Sequence, residues 1–74
     1  MPPLPIISAD ECIIVLRRLG YELARQKGSH VRLTCSGRAP VTVPMHRTLK
    51  RGTLKAILRT AELSLEDFLA ALGR

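Results

Sequence analysis

Cysteine and aromatic residues are scarce in this chain of 74 residues. It has two cysteines, one tyrosine, one phenylalanine and no tryptophan. Two cysteines are too few for a disulfide framework, and no Cys/His spacing indicates a zinc site. We therefore expect two free thiols in a reducing compartment, with no metal and no other cofactor. Two aromatic side chains are also too few to form a stacking platform for single-stranded bases.

Long apolar runs are missing as well. No stretch approaches the ~20 apolar residues that a membrane-spanning helix needs. The N-terminal sequence MPPLPII has neither the charged start nor the apolar length of a signal peptide. We therefore expect a cytoplasmic protein with no membrane partner. A chain of this length has room for one domain, with residues 1–7 as an extended N-terminal segment, and for an open surface site rather than a deep pocket.

Acidic residues are absent from the middle of the chain. Twelve Lys and Arg stand against six Asp and Glu, and no acid occurs between Leu23 and Ala61. That stretch holds nine basic residues: Arg25, Lys27, Arg32, Arg38, Arg47, Lys50, Arg51, Lys55 and Arg59. A field of one sign attracts polyanions, so nucleic acid is the favoured partner. The alternative is a basic face that serves only solubility.

Two helical patterns flank a region of strand patterns. Ser8 and Glu11 form a capping-box pattern, which predicts a helix over about 9–19 that ends at Gly20. After the strand region, Thr53 is the predicted cap of a second helix. Ser64 with Asp67 then predicts a short terminal helix, whose apolar stripe we assign to the core.

In the region between the helices, two sets of side chains alternate with a period of two residues, which is typical of strands. In the first strand, Tyr21, Leu23 and Arg25 alternate with Glu22, Ala24 and Gln26. A turn at Gly28 leads to a second strand from His30 to Thr34. The segment Ser36-Gly37-Arg38 is the predicted turn into a third, short strand over 41–43.

These elements predict an α+β fold with the order α-β-β-β-α. Its three-stranded antiparallel sheet would be covered by helices on one face and open to solvent on the other. Alternation directs one set of side chains toward the helices, namely Val31, Leu33, Val41 and Val43. The set directed outward is His30, Arg32, Thr34 and Thr42.

The histidine on the outward face can do acid–base chemistry. His30 follows the Gly28-Ser29 turn and should lie beside Arg32 and near Lys27. RNA carries its own nucleophile, the 2′-hydroxyl, so a ribonuclease needs mainly a base and charge stabilisation. Neutral imidazole can accept the hydroxyl proton, and Lys and Arg can stabilise the charge that develops on phosphorus. The alternative is a surface histidine that only binds phosphate.

The loop over 45–51 contributes further basic groups. We count His46, Arg47 and Lys50 as candidates for phosphate binding. The imidazole of His46 could instead be a second acid or base, or could pack within the loop and fix the approach to the second helix. No paired carboxylates occur in the basic middle, which argues against a metal-dependent nuclease.

Several segments, in their order and spacing, resemble the HicA (YcfA-like) toxin family. They are Leu19-Gly20-Tyr21, 25–30 (RQKGSH), 41–46 (VTVPMH), 50–54 (KRGTL) with Ile57-Leu58, and 63–68 (LSLEDF). The resemblance covers about residues 8 to 70, so residues 1–74 are expected to form a single HicA-like domain. One departure is that Arg47-Thr48 follow the second histidine, where many members have a glycine.

The resemblance implies a fold like that of double-stranded-RNA-binding domains and activity as a messenger RNA interferase. It implies that His30 is catalytic and that Gly28 and Ser29 position it. It further implies a HicB-type antitoxin partner that neutralises the toxin. Two other hypotheses stay open on the residues alone: a non-catalytic RNA-binding module of the same fold, and an interaction protein whose basic face docks an acidic partner.

Overall fold

Three helices and three strands follow one another in the predicted order, with the three strands consecutive between the first and second helices. The computed structural model describes residues 3–73. The elements are α1 Ala9–Arg18, β1 Glu22–Lys27, β2 His30–Cys35, β3 Arg38–Pro44, α2 Arg51–Ala61 and α3 Leu65–Leu72. The predicted α+β fold with helices and an antiparallel sheet is confirmed. Within the described residues, every helix is too short, or too polar, to cross a bilayer.

Local capping explains where α1 and α3 begin. The Ser8 hydroxyl accepts a hydrogen bond from the Glu11 amide at 3.1 Å, and the Glu11 carboxylate accepts one from the Ser8 amide at 3.1 Å. The Ser64 hydroxyl accepts from the Asp67 amide at 3.0 Å. Each bond satisfies a backbone donor that has no partner inside the helix. Both predicted helix starts are confirmed, and Gly20 follows the end of α1 with a positive φ of 108°.

The start of α2 differs from the prediction. Thr53 does not cap this helix, which begins at Arg51 with Lys50 as its N-cap and no side-chain capping bond. Arg51 and Gly52 of the first turn are exposed, and water can satisfy exposed first-turn amides. The other end is held from the sheet: the Arg38 guanidinium donates to the carbonyl oxygens of Ala61 at 2.6 Å and Glu62 at 3.1 Å.

The sheet has the order β1-β2-β3, and all pairs are antiparallel. Its inward side chains are buried as predicted: Val31, Leu33, Val41 and Val43. Its outward side chains are exposed as predicted: His30, Arg32, Thr34 and Thr42. The helices therefore cover one face, and the other face is open to solvent.

The core lies between β2, β3 and the helices. Cys12, Val15 and Leu16 of α1 are fully buried, and so is Phe68 of α3. Full burial of a side chain such as Phe68 stabilises the fold by about 1.5–3 kcal/mol. The prediction that the stripe of α3 belongs to the core is therefore confirmed for Phe68, whereas Leu69 and Leu72 are only half-buried. Both thiols are free, and burial raises the pKa of Cys12 to about 12.

The edge strand β1 extends beyond the cover of the helices. All six of its residues are exposed, and Leu23 is 52% exposed although it pairs with the buried Leu33. The pairing with β2 shifts by one residue between Leu23 and Arg25, so Ala24 is an extra residue in β1. This is a β-bulge, and it changes the face on which the rest of β1 displays its side chains.

Candidate functional site

Two rows of side chains cross the open face of the sheet. Residues directly opposite each other on antiparallel strands project from the same face. Lys27, His30 and Pro44 are opposite one another and form the first row, called here the His30 row. The second row is formed by Arg25, Arg32 and Thr42, and is called the arginine row.

The two rows, apart from Pro44, and the adjacent turn line a depression of about 490 Å³. Five residues predicted as site residues are brought together there: Lys27, Gly28, Ser29, His30 and Arg32. Arg25 and Thr42 line it as well. None of the described residues that line the depression is acidic. The depression therefore presents one exposed imidazole among three cationic side chains.

Arg25 is a candidate functional residue that the sequence analysis did not assign to the site. Simple alternation grouped Arg25 with Leu23, whose partner Leu33 faces the core. The extra residue Ala24 inverts the alternation, so Arg25 lies opposite Arg32 on the outer face. Only the register with β2 carries this information, and a single strand read by itself shows no sign of it.

The turn before His30 depends on its glycine. The pairing of Lys27 with His30 leaves a two-residue loop, Gly28-Ser29. Gly28 has a φ of 58°, which glycine adopts at no steric cost and which tight hairpin turns require at such a position. The Ser29 carbonyl oxygen accepts a hydrogen bond from the Met45 amide at 2.7 Å. The turn is therefore tied to the segment that follows β3, and His30 begins β2 at a fixed place.

A hydrogen bond across the sheet orients part of the arginine row. The Arg32 guanidinium donates to the Thr42 hydroxyl oxygen at 3.3 Å. A guanidinium has five N–H donors, so most of the donors of Arg32 are left for a ligand. Arg25 and Arg32, two cations, lie directly opposite each other.

The basic loop after β3 is separate from the depression. His46, Arg47 and Lys50 are exposed, but none of them lines it. The backbone of His46 has a structural role, since its carbonyl oxygen accepts a hydrogen bond from the amide of Ala9, the first residue of α1, at 3.0 Å. The loop is thus fixed beside the N-terminus of α1, and its side chains form a second basic surface.

The chemistry available at the depression is acid–base and electrostatic. Across residues 3–73, no three His, Cys, Asp or Glu side chains gather in a way that could hold a metal ion. The imidazole of His30 can exchange a proton with a bound ligand, and the cations around it favour an anion.

The comparisons with known proteins identify the family. No curated protein matches the chain. The family model described as "HicA toxin of bacterial toxin-antitoxin" matches residues 9–63, more than half of the chain. The match includes all three strands, and with them the whole of both rows. The chain therefore belongs to the HicA toxin family of bacterial toxin–antitoxin systems.

Proposed function

We propose that the protein is an endoribonuclease that cleaves messenger RNA without a metal ion, and that His30 is its general base. The observation that carries the proposal is the placement of His30. It is exposed in a depression lined by three cations, with Lys27 directly opposite. An open depression on a small domain suits a polymeric substrate that lies across a surface.

The reaction needs little beyond these groups. His30 accepts the proton of a 2′-hydroxyl, whose oxygen attacks the adjacent phosphorus. The bond from phosphorus to the 5′-oxygen breaks, and the leaving oxygen takes up a proton from water. His30 then returns its proton to the solvent. Lys27 and Arg32 stabilise the negative charge that accumulates on the phosphoryl oxygens. The products are a 2′,3′-cyclic phosphate, which can open to a 3′-phosphate, and a 5′-hydroxyl.

The remaining candidates act in binding. Gly28 and Ser29 place His30 and leave space for a phosphate backbone, since no heavy atom beyond Gly28 and its two chain neighbours lies within 4 Å of the position that a Gly28 Cβ would occupy. His46, Arg47 and Lys50 supply phosphate contacts outside the depression. The family implies an antitoxin partner. A HicB-type antitoxin would neutralise this toxin by covering His30 and the cations around it.

The test is cleavage of a labelled messenger RNA by the purified protein in the presence of EDTA. The parent should cut and leave 5′-hydroxyl ends, whereas His30→Ala should bind the RNA and leave it intact. Because His30 is exposed, the variant should unfold at the same temperature as the parent. Cleavage that EDTA abolishes, or 5′-phosphate ends, would refute the mechanism.

The second candidate function is a non-catalytic RNA-binding module. It is favoured by the cations that line the depression, which would bind RNA whether or not His30 acts. If the parent binds RNA with strong salt dependence and never cuts it, this function replaces the first.

A further inference from the structure

The arginine row is adjacent to the His30 row but distinct from it. Along β2, Arg32 lies two residues beyond His30, and Arg25 lies two residues before Lys27 on β1. Two residues of a strand span about 6.6 Å. This is similar to the separation of successive phosphates along an extended nucleotide strand. A backbone that places one phosphate at His30 would therefore place the next at the arginine row.

The arginine row is built for an anion. Like charges directly opposite each other on neighbouring strands destabilise a sheet, and here Arg25 faces Arg32. Among the described residues, no acidic side chain lines the depression in which they lie. Thr42 accepts one hydrogen bond from Arg32 and holds that guanidinium over the row. An anion between the two guanidinium groups would remove the repulsion and receive several hydrogen bonds.

The geometry points to a second phosphate subsite, in which Arg25 and Arg32 bind the phosphate next to the one that is cleaved. The assignment of the cleaved phosphate to the His30 row rests on the proposed function. The subsite divides the cations of the depression into two roles: Lys27 serves the reacting phosphate, and the two arginines serve its neighbour. The substrate must therefore carry two consecutive phosphodiesters, and a dinucleoside monophosphate is a poor substrate.

The test uses oligonucleotides with one cleavable position. A single ribonucleotide is placed in a strand that is otherwise 2′-O-methylated, so only one 2′-hydroxyl can attack. The oligonucleotide sequence is taken from a site that the protein cuts in the messenger RNA assay. If the messenger RNA is not cut, an oligonucleotide that contains all four bases is used. In separate oligonucleotides, the phosphate on the 5′ or the 3′ side of the cleaved linkage is replaced by a neutral methylphosphonate. One of these two replacements should lower kcat/KM for the parent by about 10- to 100-fold, the loss expected for charge-assisted hydrogen bonds.

The decisive comparison combines this replacement with Arg25→Gln. On the fully charged oligonucleotide, the kcat/KM of Arg25→Gln should be lower than that of the parent by a similar factor of about 10 to 100. Neutralising the sensitive phosphate should then cost the variant less than about twofold, because the contact is already missing. The matched control is Arg59→Gln, which removes an exposed charge from α2 and should behave like the parent. If the methylphosphonate lowers the kcat/KM of Arg25→Gln by the same factor as that of the parent, the subsite is refuted.

A binding measurement separates this inference from the proposed function. The same set of oligonucleotides with a 2′-O-methyl group at every position binds but cannot be cleaved. Coupling between Arg25 and one phosphate in the dissociation constants, without cleavage of any RNA, would leave the subsite standing and refute His30 as a base. Cleavage that depends on His30, without coupling to Arg25, would refute the subsite and leave the function standing.

Discussion

Two arginine side chains that face each other across β1 and β2 link stability to function at the scale of single residues. Arg25 and Arg32 are opposite one another in the depression. Like charges in this position disfavour the folded state, and a phosphate in the proposed subsite would relieve their repulsion. Residues selected only for stability would not be arranged in this way.

Arg25→Thr should therefore stabilise the protein while it weakens RNA binding. Removal of one cation ends the repulsion, and threonine suits a strand better than most polar residues, so the free energy of unfolding should rise by about 0.2–1 kcal/mol. Urea unfolding followed by circular dichroism at low salt measures the first effect, and RNA titration measures the second. A variant that is less stable than the parent, or that binds RNA equally well, would contradict this account.

The buried thiol of Cys12 predicts a loss of stability at alkaline pH. Burial raises its pKa from 9.0 to about 12. Above pH 9 the unfolded chain releases the thiol proton, whereas the folded chain keeps it until about pH 12. Unfolding therefore becomes more favourable as the pH rises through this window, by roughly 1 kcal/mol between pH 8 and pH 10 from this group.

The control is Cys12→Ala, which lacks the titrating group. It should be less stable than the parent at every pH, because truncation leaves a cavity, but should lose less stability between pH 8 and pH 10. Burial also raises the pKa of Tyr21, which contributes a change of the same sign to both proteins. Urea unfolding at the two pH values gives both slopes, and equal slopes would show that the thiol is not responsible.

At the scale of elements, the bulge in β1 decides which side chains reach the site. With Ala24 as the extra residue, Arg25 faces outward, and with a regular register after Leu23 it would face the other way. Because the period of a strand is two residues, one inserted or deleted residue inverts every following position until another irregularity restores the pattern.

Two single-residue deletions in β1 test this directly. Deletion of Ala24 removes the bulge and leaves Arg25 opposite Arg32 and Lys27 opposite His30. Deletion of Gln26 also removes one residue, and a regular register then keeps Lys27 opposite His30 but turns Arg25 to the opposite face. The kcat/KM of the first variant for RNA cleavage should lie within a few-fold of the parent's. The kcat/KM of the second should fall by about 10- to 100-fold, as expected for Arg25→Gln.

The Gln26 side chain needs its own control, because its amide donates a hydrogen bond to the Gly28 carbonyl at 3.2 Å. Gln26→Ala removes that exposed bond without changing the register and should be close to the parent. If both deletions reduce cleavage equally, the bulge has a role other than the orientation of Arg25.

The structural features that could be predicted from the sequence are those that depend on residues close together in the chain. Ser8 with Glu11, and Ser64 with Asp67, mark helix starts because the hydrogen bonds they form span three residues. The placement of His30 near Lys27 follows in the same way from a two-residue turn. The face of Arg25 could not be predicted, since it depends on a register that is set between two strands.

The position of the basic loop relative to His30 could not be predicted from the sequence either. Its charges could be found from the sequence, but their distance from His30 depends on how the loop returns past the N-terminus of α1. That path is fixed by backbone hydrogen bonds between distant segments, from Leu49 to Ile7 and from Ala9 to His46. Such bonds leave no pattern in the sequence.

At the scale of the whole molecule, the fold separates the face that carries the candidate site from the layer of helices that packs against the core. The helices bury the apolar side of the sheet, and the opposite side carries the imidazole and three cations of the depression. A partner that covers this one face would block chemistry and RNA binding together. The net charge of +6 is spread over both layers, so charge alone does not say where RNA binds.

The salt dependence of RNA binding shows whether RNA contacts the open face of the sheet or responds only to the net charge of the protein. Each phosphate that the protein neutralises on a single strand contributes about −0.7 to the slope of log K against log salt concentration. In the proposed arrangement the three cations of the depression bind two phosphates. Their removal, with Arg25→Gln, Lys27→Gln and Arg32→Gln together, should therefore make the slope shallower by roughly 1.4. A matched triple variant, Arg17→Gln with Lys55→Gln and Arg59→Gln, removes the same charge from exposed positions of the helices.

The matched triple variant should keep the slope of the parent, although its affinity falls slightly through the weaker overall field. Titrations of one uncleavable oligonucleotide at several salt concentrations supply all three slopes. Equal changes in the two triple variants would mean that RNA responds to the net charge of the molecule. A change confined to the first variant would mean that RNA contacts the sheet face, where an antitoxin needs to cover only one surface to silence the toxin.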